Sequence, residues 1–309
     1  MAVQTYAALT AEQRTFYEKT LLTRLTPNLL FYKYGQKKPI PKGNGGTINF
    51  RRFNSLPAAT TALTEGQKPG GATLSISTVT ATVAQYGDYT LISDVLDMLG
   101  IDPVITETTA LHGEQAGLTI DTLIRDVVRQ GTNVLRPNSR ATTDAVTASD
   151  KLTSTEIKLA VKKLRRANVK PVEDGMYIGI IDPETALDLQ GDSEWQDVSK
   201  YNGGRAIMKG EIGCLHGVRF VETSNVYAAN NSAQTPVKVH HTVIFGKDAY
   251  GISDLEGSAG KPTVIVKPAG SAGTDDPLDQ VSSVGWKALF TTARLDENAI
   301  VRIEHAATE

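Results

Sequence analysis

The longest regular pattern of apolar and polar positions lies between residues 102 and 131 and predicts a long helix. Leu111 and Ile120 fall on its apolar side, Pro103 suits its first turn, and Gly131 can end it. A helix of this length would extend roughly 40–45 Å. We expect Leu111 to be buried, so that Leu111→Asp would prevent folding by burying an unpaired charge.

Two glycines interrupt the middle of this pattern. Gly113 and Gly117 each disfavour the helical state by about 1 kcal/mol relative to alanine. The sequence therefore leaves open a kink or a division into two shorter helices.

Shorter patterns predict the other elements. Thr153 and Glu156 form a capping box for a second helix at 151–168. A buried strand at 176–181 passes directly into a helix that starts at Asp182-Pro183, which is typical of an α/β layer. Residues 133–150 are polar and read as a linker or loop. The remaining predictions are an amphipathic helix at 9–25, a glycine-punctuated turn and strand within 211–225, and strands at 47–52, 73–85, 237–245, 263–266, 281–291 and 299–304.

The two strands at 47–52 and 73–85 predict a hairpin with a long polar excursion between them. A two-stranded hairpin is marginally stable by itself in water, so this one should lie on another surface, most simply another subunit. The alternative is an ordinary flexible surface hairpin.

Composition narrows the class of protein only slightly. The chain has 309 residues, 40% hydrophobic residues and a formal charge of −2, so no global basic field indicates nucleic-acid binding. Cys214 is the one cysteine, so the chain offers no internal disulfide and no cysteine-based zinc cage. We find no secretory signal and no run near eighteen apolar residues, so we expect no membrane association.

The search for catalytic chemistry finds no motif. Neither a phosphate-binding loop nor a nucleophile elbow occurs, and Cys214 reads as a small buried residue. His240 and His241 are adjacent in a strand and point to opposite faces, and the other histidines, His112, His216 and His305, lack helical zinc spacing. We therefore expect no enzyme, no catalytic or cofactor-binding residue, no metal site and no cofactor.

One face of the second helix is strongly basic. Such a face is most often simply solvated, and the alternative is contact with DNA. The possible DNA-facing residues are Lys158, Lys162, Lys163, Arg165 and Arg166.

The segment KGEIGCLHGVRFVETSNV at 209–226 resembles the major capsid proteins of tailed bacteriophages. The N-terminal helix, the Gly/Pro/Thr-rich hairpin, the long helix, YIGIIDPE and the closing WKALFTTARLDENAIVRIEHA follow in the order typical of that family. The resemblance is to the phage-N-four-like major capsid group and covers nearly the whole chain. It implies an α+β fold of the Hong Kong 97 type, with an N-terminal arm, an extended β-hairpin loop, a peripheral lobe around a long spine helix and an α/β axial lobe.

The resemblance also implies a division of the chain. The expected segments are the N-terminal arm 1–35, the extended loop 36–92, the peripheral domain 93–170, the axial domain 171–276 and C-terminal strands 277–309 that return to the peripheral domain.

The function implied is self-assembly, as pentamers and hexamers, into an icosahedral shell around double-stranded DNA. Its partners would be copies of itself and portal, scaffolding or cement proteins, and it would reside in the virion after assembly in the bacterial cytoplasm. The alternatives are a cellular encapsulating shell of the same fold, a tail or decoration component, and an α/β enzyme with the hairpin as a lid. The inter-subunit loop residues implied are Gly43, Gly45, Gly46, Arg51, Arg52, Glu65, Gly66, Lys68, Gly70 and Gly71.

Overall fold

A computed structural model describes most of the chain. The residues described are 17, 19–21, 29–40, 46–54, 56–68, 70–99, 103–192, 194–195, 211–253, 261–271 and 276–308. Most of the N-terminal helix predicted at 9–25 lies outside them, although Tyr17 and residues 19–21 are helical.

Five α-helices lie within these ranges, and most agree with the sequence patterns. The two glycines do not break the long helix, which runs unbroken for 26 residues. The capping box is confirmed, since the Glu156 carboxylate accepts the Thr153 N–H at 3.1 Å. The helices are α1 (Leu30–Tyr34), α2 (Asp94–Leu99), α3 (Val104–Arg129), α4 (Ser154–Arg166) and α5 (Pro183–Gln190).

The strands form four sheets. The early strands are β1 (Gln36–Lys38), β2 (Thr47–Phe53), β3 (Ile76–Thr82), β4 (Ala84–Ser93), β5 (Val134–Leu135), β6 (Tyr177–Ile181), β7 (Glu211–Leu215) and β8 (Val218–Glu222). The later strands are β9 (Ala228–Asn230), β10 (Lys238–Phe245), β11 (Tyr250–Ser253), β12 (Thr263–Lys267), β13 (Val281–Phe290), β14 (Thr292–Arg294) and β15 (Ile300–Ala306). The largest sheet has the order β5-β15-β10-β6-β8-β7 with β9 beside β10, and the others are β12-β13-β4, β1-β11-β14 and the hairpin β2-β3.

Helix α3 joins the two main cores. Its C-terminal half buries Ile120, Ile124 and Val128 against α1 and one face of the large sheet. Its N-terminal half places Ala116 against the sheet β12-β13-β4. The opposite face of the large sheet is covered by α4 and α5. A single rigid helix therefore fixes the relative position of both sheets.

Close packing requires a glycine at position 113, although glycine disfavours the helical state. A Cβ at this position would lie 2.5 Å from the carbonyl oxygen of Leu21, whose own side chain is fully buried. No side chain fits at that distance. The glycine is therefore the point at which the N-terminal segment crosses the long helix.

The expectation that Leu111 is buried is wrong, because 60% of its surface is exposed. It shares an outward stripe with Leu118, which is 53% exposed, while Ala110 and Ala116 occupy the buried side. The Leu111→Asp argument fails with it, since an aspartate there would remain in water.

A buried carboxylate anchors the segment that precedes the hairpin. Asp121 of α3 accepts the backbone N–H of Phe31 at 2.7 Å and the Asn225 amide at 3.2 Å. Tyr250 donates its hydroxyl to the Phe31 carbonyl at 2.6 Å. Burial raises the pKa of Asp121 to about 6, although hydrogen bonds from Asn225 and the backbone of Phe31 and Tyr32 lower it.

The stretch at 133–150 is the loop alternative of the prediction, and side-chain contacts fix it to the large sheet. Its turns are tied to β15 by Arg136, whose Nε lies 2.7 Å from the buried Glu304 carboxylate. Asp150 is fully buried and accepts from Arg140, Asn138 and Thr147. Charged hydrogen bonds, and not an apolar face, hold this stretch in place. The sequence therefore shows no hydrophobic periodicity here.

Some strands pair with strands from a different one of the expected chain segments. Strand β12, from within 171–276, pairs with β13, and β15, from within 277–309, pairs with β10 in the large sheet. Helix α4, from within 93–170, packs on that same large sheet.

We predict that Gly113→Ala lowers the free energy of unfolding by about 1–3 kcal/mol, because the added methyl collides with the Leu21 backbone. Alanine would otherwise favour the helix by about 1 kcal/mol. Urea unfolding followed by circular dichroism measures the difference. Gly131→Ala is the control, since its Cβ would meet no atom closer than 3.5 Å. A Gly113→Ala chain as stable as the unchanged one would contradict the assignment.

Candidate functional site

The hairpin β2–β3 has one packed face and one open face. On the packed face, Ile48, Phe50 and Ala81 are buried against residues that include Ala293 and Leu295 of the same chain. The hairpin thus has a small core at its base. Arg52 forms an ion pair with Asp296 on this packed side.

The open face consists of the side chains that alternate with the packed ones. Arg51 pairs in register with Thr78, and Phe53 pairs with Ile76. Phe53 is 62% exposed and Ile76 51% exposed. Because successive side chains of a strand point to opposite faces, Arg51 and Arg52 cannot have the same partner.

Beyond this pair the hairpin opens into an exposed loop. The ladder ends where the Asn54 N–H donates to the Ser75 carbonyl at 3.0 Å. Leu56, Leu63 and Leu74 project from the loop with more than half of their surface exposed. Of the ten inter-subunit residues expected, Gly43 and Gly45 lie outside the described residues, Arg52 is engaged within the chain, and the rest are exposed: Gly46, Arg51, Glu65, Gly66, Lys68, Gly70 and Gly71.

A second exposed apolar surface lies on α2 and the first half of α3. Helix α2 has no buried residue, and Met98 and Leu99 are 79% and 78% exposed. Leu111 and Leu118 are exposed apolar residues farther along α3. Contiguous exposed leucines and methionines are typical of surfaces that contact another protein.

The five basic residues of α4 do not act as one face. Lys163 is turned toward the large sheet, where it donates to Asn133 Oδ1 at 3.0 Å, and burial lowers its pKa. Lys158 binds the Glu194 carboxylate at 2.7 Å. Lys162 and Arg165 line an open depression beside His216, and Arg166 is exposed. The basic surface is therefore narrower than the sequence indicates.

The glycine-punctuated motif at 211–225 forms the hairpin β7–β8 and a contact to α3. His216 and Gly217 both have positive φ, 52° and 83°, and make its two-residue turn. Gly213 has φ 149°, and a Cβ there would lie 2.9 Å from the Trp195 ring. Asn225 accepts from Arg125 at 2.9 Å while donating to Asp121. The motif thus has structural roles, and Cys214 within it is half-buried, not fully buried as expected.

Three histidines lie near the pairing of β10 with β15. The His240 and His305 rings stack at 6.1 Å, and His241 packs against Tyr227 on the other face of β10, as strand alternation predicts. His305 is fully buried; its Nδ1 donates to the Ala306 carbonyl and its Nε2 accepts from Thr242 at 2.8 Å. Burial lowers the pKa of His305 to about 4.

One group of possible metal ligands escaped the sequence search. Asp182, Glu184 and His240 place ligand atoms within 4.8 Å of one another. His240 Nδ1 is 2.5 Å from Asp182, and Lys238 Nζ is 3.0 Å from both Glu184 oxygens. Although burial raises it, hydrogen bonds from His240 and Thr185 hold the pKa of Asp182 at about 2. Because the chain itself supplies a hydrogen-bond partner to Asp182 and a lysine to Glu184, we assign the group to bracing the start of α5 against β10.

One open groove among the described residues has almost no groups suited to catalysis. It has a volume of about 680 Å³ and lies on the outer face of the sheet β12-β13-β4, where Tyr89 and Leu91 lie beside Lys267 and Lys287. No histidine, and no carboxylate but Asp88, lines it among the described residues. None of the helices in the described ranges is long and apolar enough to cross a membrane.

Comparison with known proteins identifies what this arrangement is similar to. A family model described as phage capsid protein matches residues 76–303. A search among curated proteins gave no match.

Solved structures similar to this fold are phage capsids. The capsid of Ralstonia phage GP4 superposes with a TM-score of 0.69 at 13% identity, covering 89% of this chain and 87% of that one. The capsid of cyanophage P-SCSP1u gives 0.64 at 16% identity, with 89% and 87% covered. The head structure of Helicobacter pylori bacteriophage KHP40 gives 0.64 at 12% identity, with 89% and 91% covered. The α+β class and the capsid resemblance expected from the sequence are confirmed.

The buried histidine generates a prediction about pH. The folded pKa of His305 lies near 4, below the ordinary value of 6.5, so only the unfolded chain takes up this proton between those values. The contribution of His305 to the free energy of unfolding is therefore fully present above about pH 6.5. It decreases as the pH drops toward 4, by about 2 kcal/mol at pH 5. The raised pKa of Asp121 increases the free energy of unfolding as the pH falls through the same range. The pH dependence of a His305 variant must therefore be compared with that of the unchanged chain.

Urea unfolding at about pH 7.5 and about pH 5 tests this prediction. Between the two pH values, the free energy of unfolding of the His305→Asn variant should fall by about 2 kcal/mol less than that of the unchanged chain. Thr242→Val, which removes the hydroxyl donor but keeps the histidine, should retain the pH dependence. An identical loss in His305→Asn and the unchanged chain would contradict the assignment.

Proposed function

We propose that this chain, which belongs to the phage capsid protein family, is the major capsid protein of a tailed phage. It would assemble as pentamers and hexamers into an icosahedral shell that encloses double-stranded DNA. The proteins that it resembles in sequence and fold are structural capsid proteins. Assembly in the bacterial cytoplasm and association with portal, scaffolding or cement proteins belong to the same proposal.

The observation that carries the proposal is that one face of the hairpin β2–β3 is not covered by any described part of the chain. Its base is anchored in the chain's own core, whereas its open face, its loop and the α2 surface leave large apolar side chains in water. Covering such side chains releases about 25 cal/mol per Å² of apolar surface. Contacts of modest size, repeated around closed rings, can hold a shell together while still permitting correction of misplaced subunits.

The segments inferred from the resemblance remain part of this proposal. Residues 1–35 would be the arm, 36–92 the extended loop, and 93–170 the peripheral domain. The pairing of β12 with β13 supports adding residues 263–267 to that domain. The pairing of β15 with β10 supports joining the last strand to the axial domain of 171–276.

A role for α4 in facing the enclosed DNA also remains a proposal. Lys162, Arg165 and Arg166 are exposed members of the basic set, and Lys158 is exposed too but is paired with Glu194. Lys158 and Lys163 bind groups of the chain itself and would contribute less. A small basic surface on a chain of charge −2 would allow DNA to be packed and released, since each phosphate contact adds to affinity and to salt dependence.

Shortening the hairpin tests the assembly function. Residues 55–74 would be replaced by a two-residue Asn-Gly turn between Asn54 and Ser75, where the ladder ends. We expect a folded subunit with an unchanged urea midpoint that forms no closed shells by negative-stain electron microscopy. The reason is that all the described residues of this segment are exposed.

A Gly/Ser loop of the original length is the matched control. It keeps the reach of the loop but removes Leu56, Leu63 and Leu74, and we expect it to assemble poorly as well. Normal shells from the shortened chain would refute the assembly role of the loop.

The DNA-facing role has a separate test. Lys162→Glu combined with Arg165→Glu should weaken non-specific binding of a short duplex about tenfold at low salt and reduce the salt slope by about two. Fluorescence anisotropy measures the binding. The control is the same charge change at the exposed Lys170 and Lys247. Equal effects of both double variants would refute a specific role for α4.

A further inference from the structure

The brace between α5 and β10 does not account for one buried nitrogen of His240. Only 1% of this side chain is exposed, and its Nδ1 lies 2.5 Å from the Asp182 carboxylate. An ionised carboxylate can only accept a hydrogen bond, so Nδ1 carries the ring proton. In the neutral ring Nε2 then has a free lone pair, and it has no hydrogen-bond partner among the described residues.

This lone pair faces a second carboxylate. The Glu184 Oε2 atom lies 3.3 Å from His240 Nε2. Two electron-rich atoms at this distance repel each other, and the repulsion is strong where water is excluded. The arrangement becomes favourable when a positive species, a proton or a metal ion, lies beside both atoms.

The distances fit a metal ion that has two protein ligands. Zinc binds histidine nitrogen at about 2.0–2.1 Å and carboxylate oxygen at about 2.0–2.2 Å, which places tetrahedral ligands about 3.3–3.5 Å apart. His240 Nε2 and Glu184 Oε2 have this separation. Asp182 is too close to Nδ1 to share the ion, but it occupies the place of the carboxylate that usually orients a metal-binding histidine.

A lysine of the same strand face competes for this site. Lys238 lies two residues before His240 on β10, and its Nζ is 3.0 Å from both Glu184 oxygens. The side chains of Lys238 and Glu184 are 34% and 39% exposed, so the site can be reached from solvent. An ion would bind as the ammonium group turns outward, and its affinity would be reduced by that competition.

We propose that His240 Nε2 and the Glu184 carboxylate bind a divalent transition-metal ion such as zinc, with Asp182 orienting the ring and water completing the coordination. An imidazole ligand favours zinc over magnesium and calcium, which prefer oxygen ligands. Because the ion binds only the folded chain at this site, it would stabilise the contact of α5 with β10. The inference does not depend on the proposed shell function.

Isothermal titration calorimetry of the tag-free full chain, freed of metals with a chelator, tests the site. We expect one zinc ion per chain and no binding of magnesium. His240→Asn should abolish zinc binding, because asparagine keeps a donor for Asp182 but has no atom in place of Nε2. Glu184→Gln should abolish it as well. Asp182→Asn should weaken it about ten- to a hundredfold.

A surface group of the same residue types provides the matched control. His216 Nε2 lies 2.8 Å from Glu194, which also binds Lys158 at 2.7 Å. Here Nε2 has a hydrogen-bond partner, so we expect no zinc site. His216→Asn should leave the zinc affinity unchanged, and asparagine tolerates the positive φ at this position. Circular dichroism verifies the folding of each variant.

Replacing the competing lysine separates a metal site from a purely structural group. Lys238→Gln removes the ammonium group, so zinc should bind at least about tenfold more tightly. Absence of zinc binding to the unchanged chain would overturn the proposal, as would an unchanged affinity in both His240→Asn and Glu184→Gln. Weaker binding by Lys238→Gln would also contradict it. Should His240→Asn fail to fold, Glu184→Gln, at a half-buried position, decides the question.

Discussion

A two-stranded hairpin needs other residues to bury its two faces. The rest of the structure depends on how this hairpin meets that requirement. The hairpin β2–β3 uses one face to bury Ile48, Phe50 and Ala81 at its base. The other face and the loop beyond Asn54 have no described part of the chain to lie on. The hairpin therefore leaves Phe53 and Ile76 exposed to water, and the proposed assembly would complete their burial.

The body of the subunit is built to hold that hairpin at a fixed angle. Helix α3 crosses both main cores, and Asp121 on it binds the backbone of α1 just ahead of the hairpin. Placing a carboxylate in this buried site is unfavourable, as its raised pKa shows. The hydrogen bonds to Phe31 and Asn225 offset part of that cost and fix the geometry.

Local signals in the sequence were sufficient for many elements, but not for α1, α2 and β4, which were not predicted, and not for the environments of the side chains. The capping box at Thr153 and the Asp182-Pro183 start gave the correct helices, because caps and periodicity act within a few residues. Leu111 was misassigned because an exposed leucine can have the same helical spacing as one in the core. Gly113 read as a weak point, although the passing Leu21 backbone requires it. The inward turn of Lys163 and the group around His240 depend on contacts between distant residues, which no local pattern records.

The central claim is that burial of the hairpin is completed only between subunits. Electron cryomicroscopy of particles formed by the purified chain, at a resolution that shows side chains, measures this most directly. The account predicts a closed icosahedral shell in which the loop between Asn54 and Ser75 of each subunit lies on a neighbouring subunit. A monodisperse single chain at high concentration, or a shell in which each loop folds back on its own subunit, would contradict it.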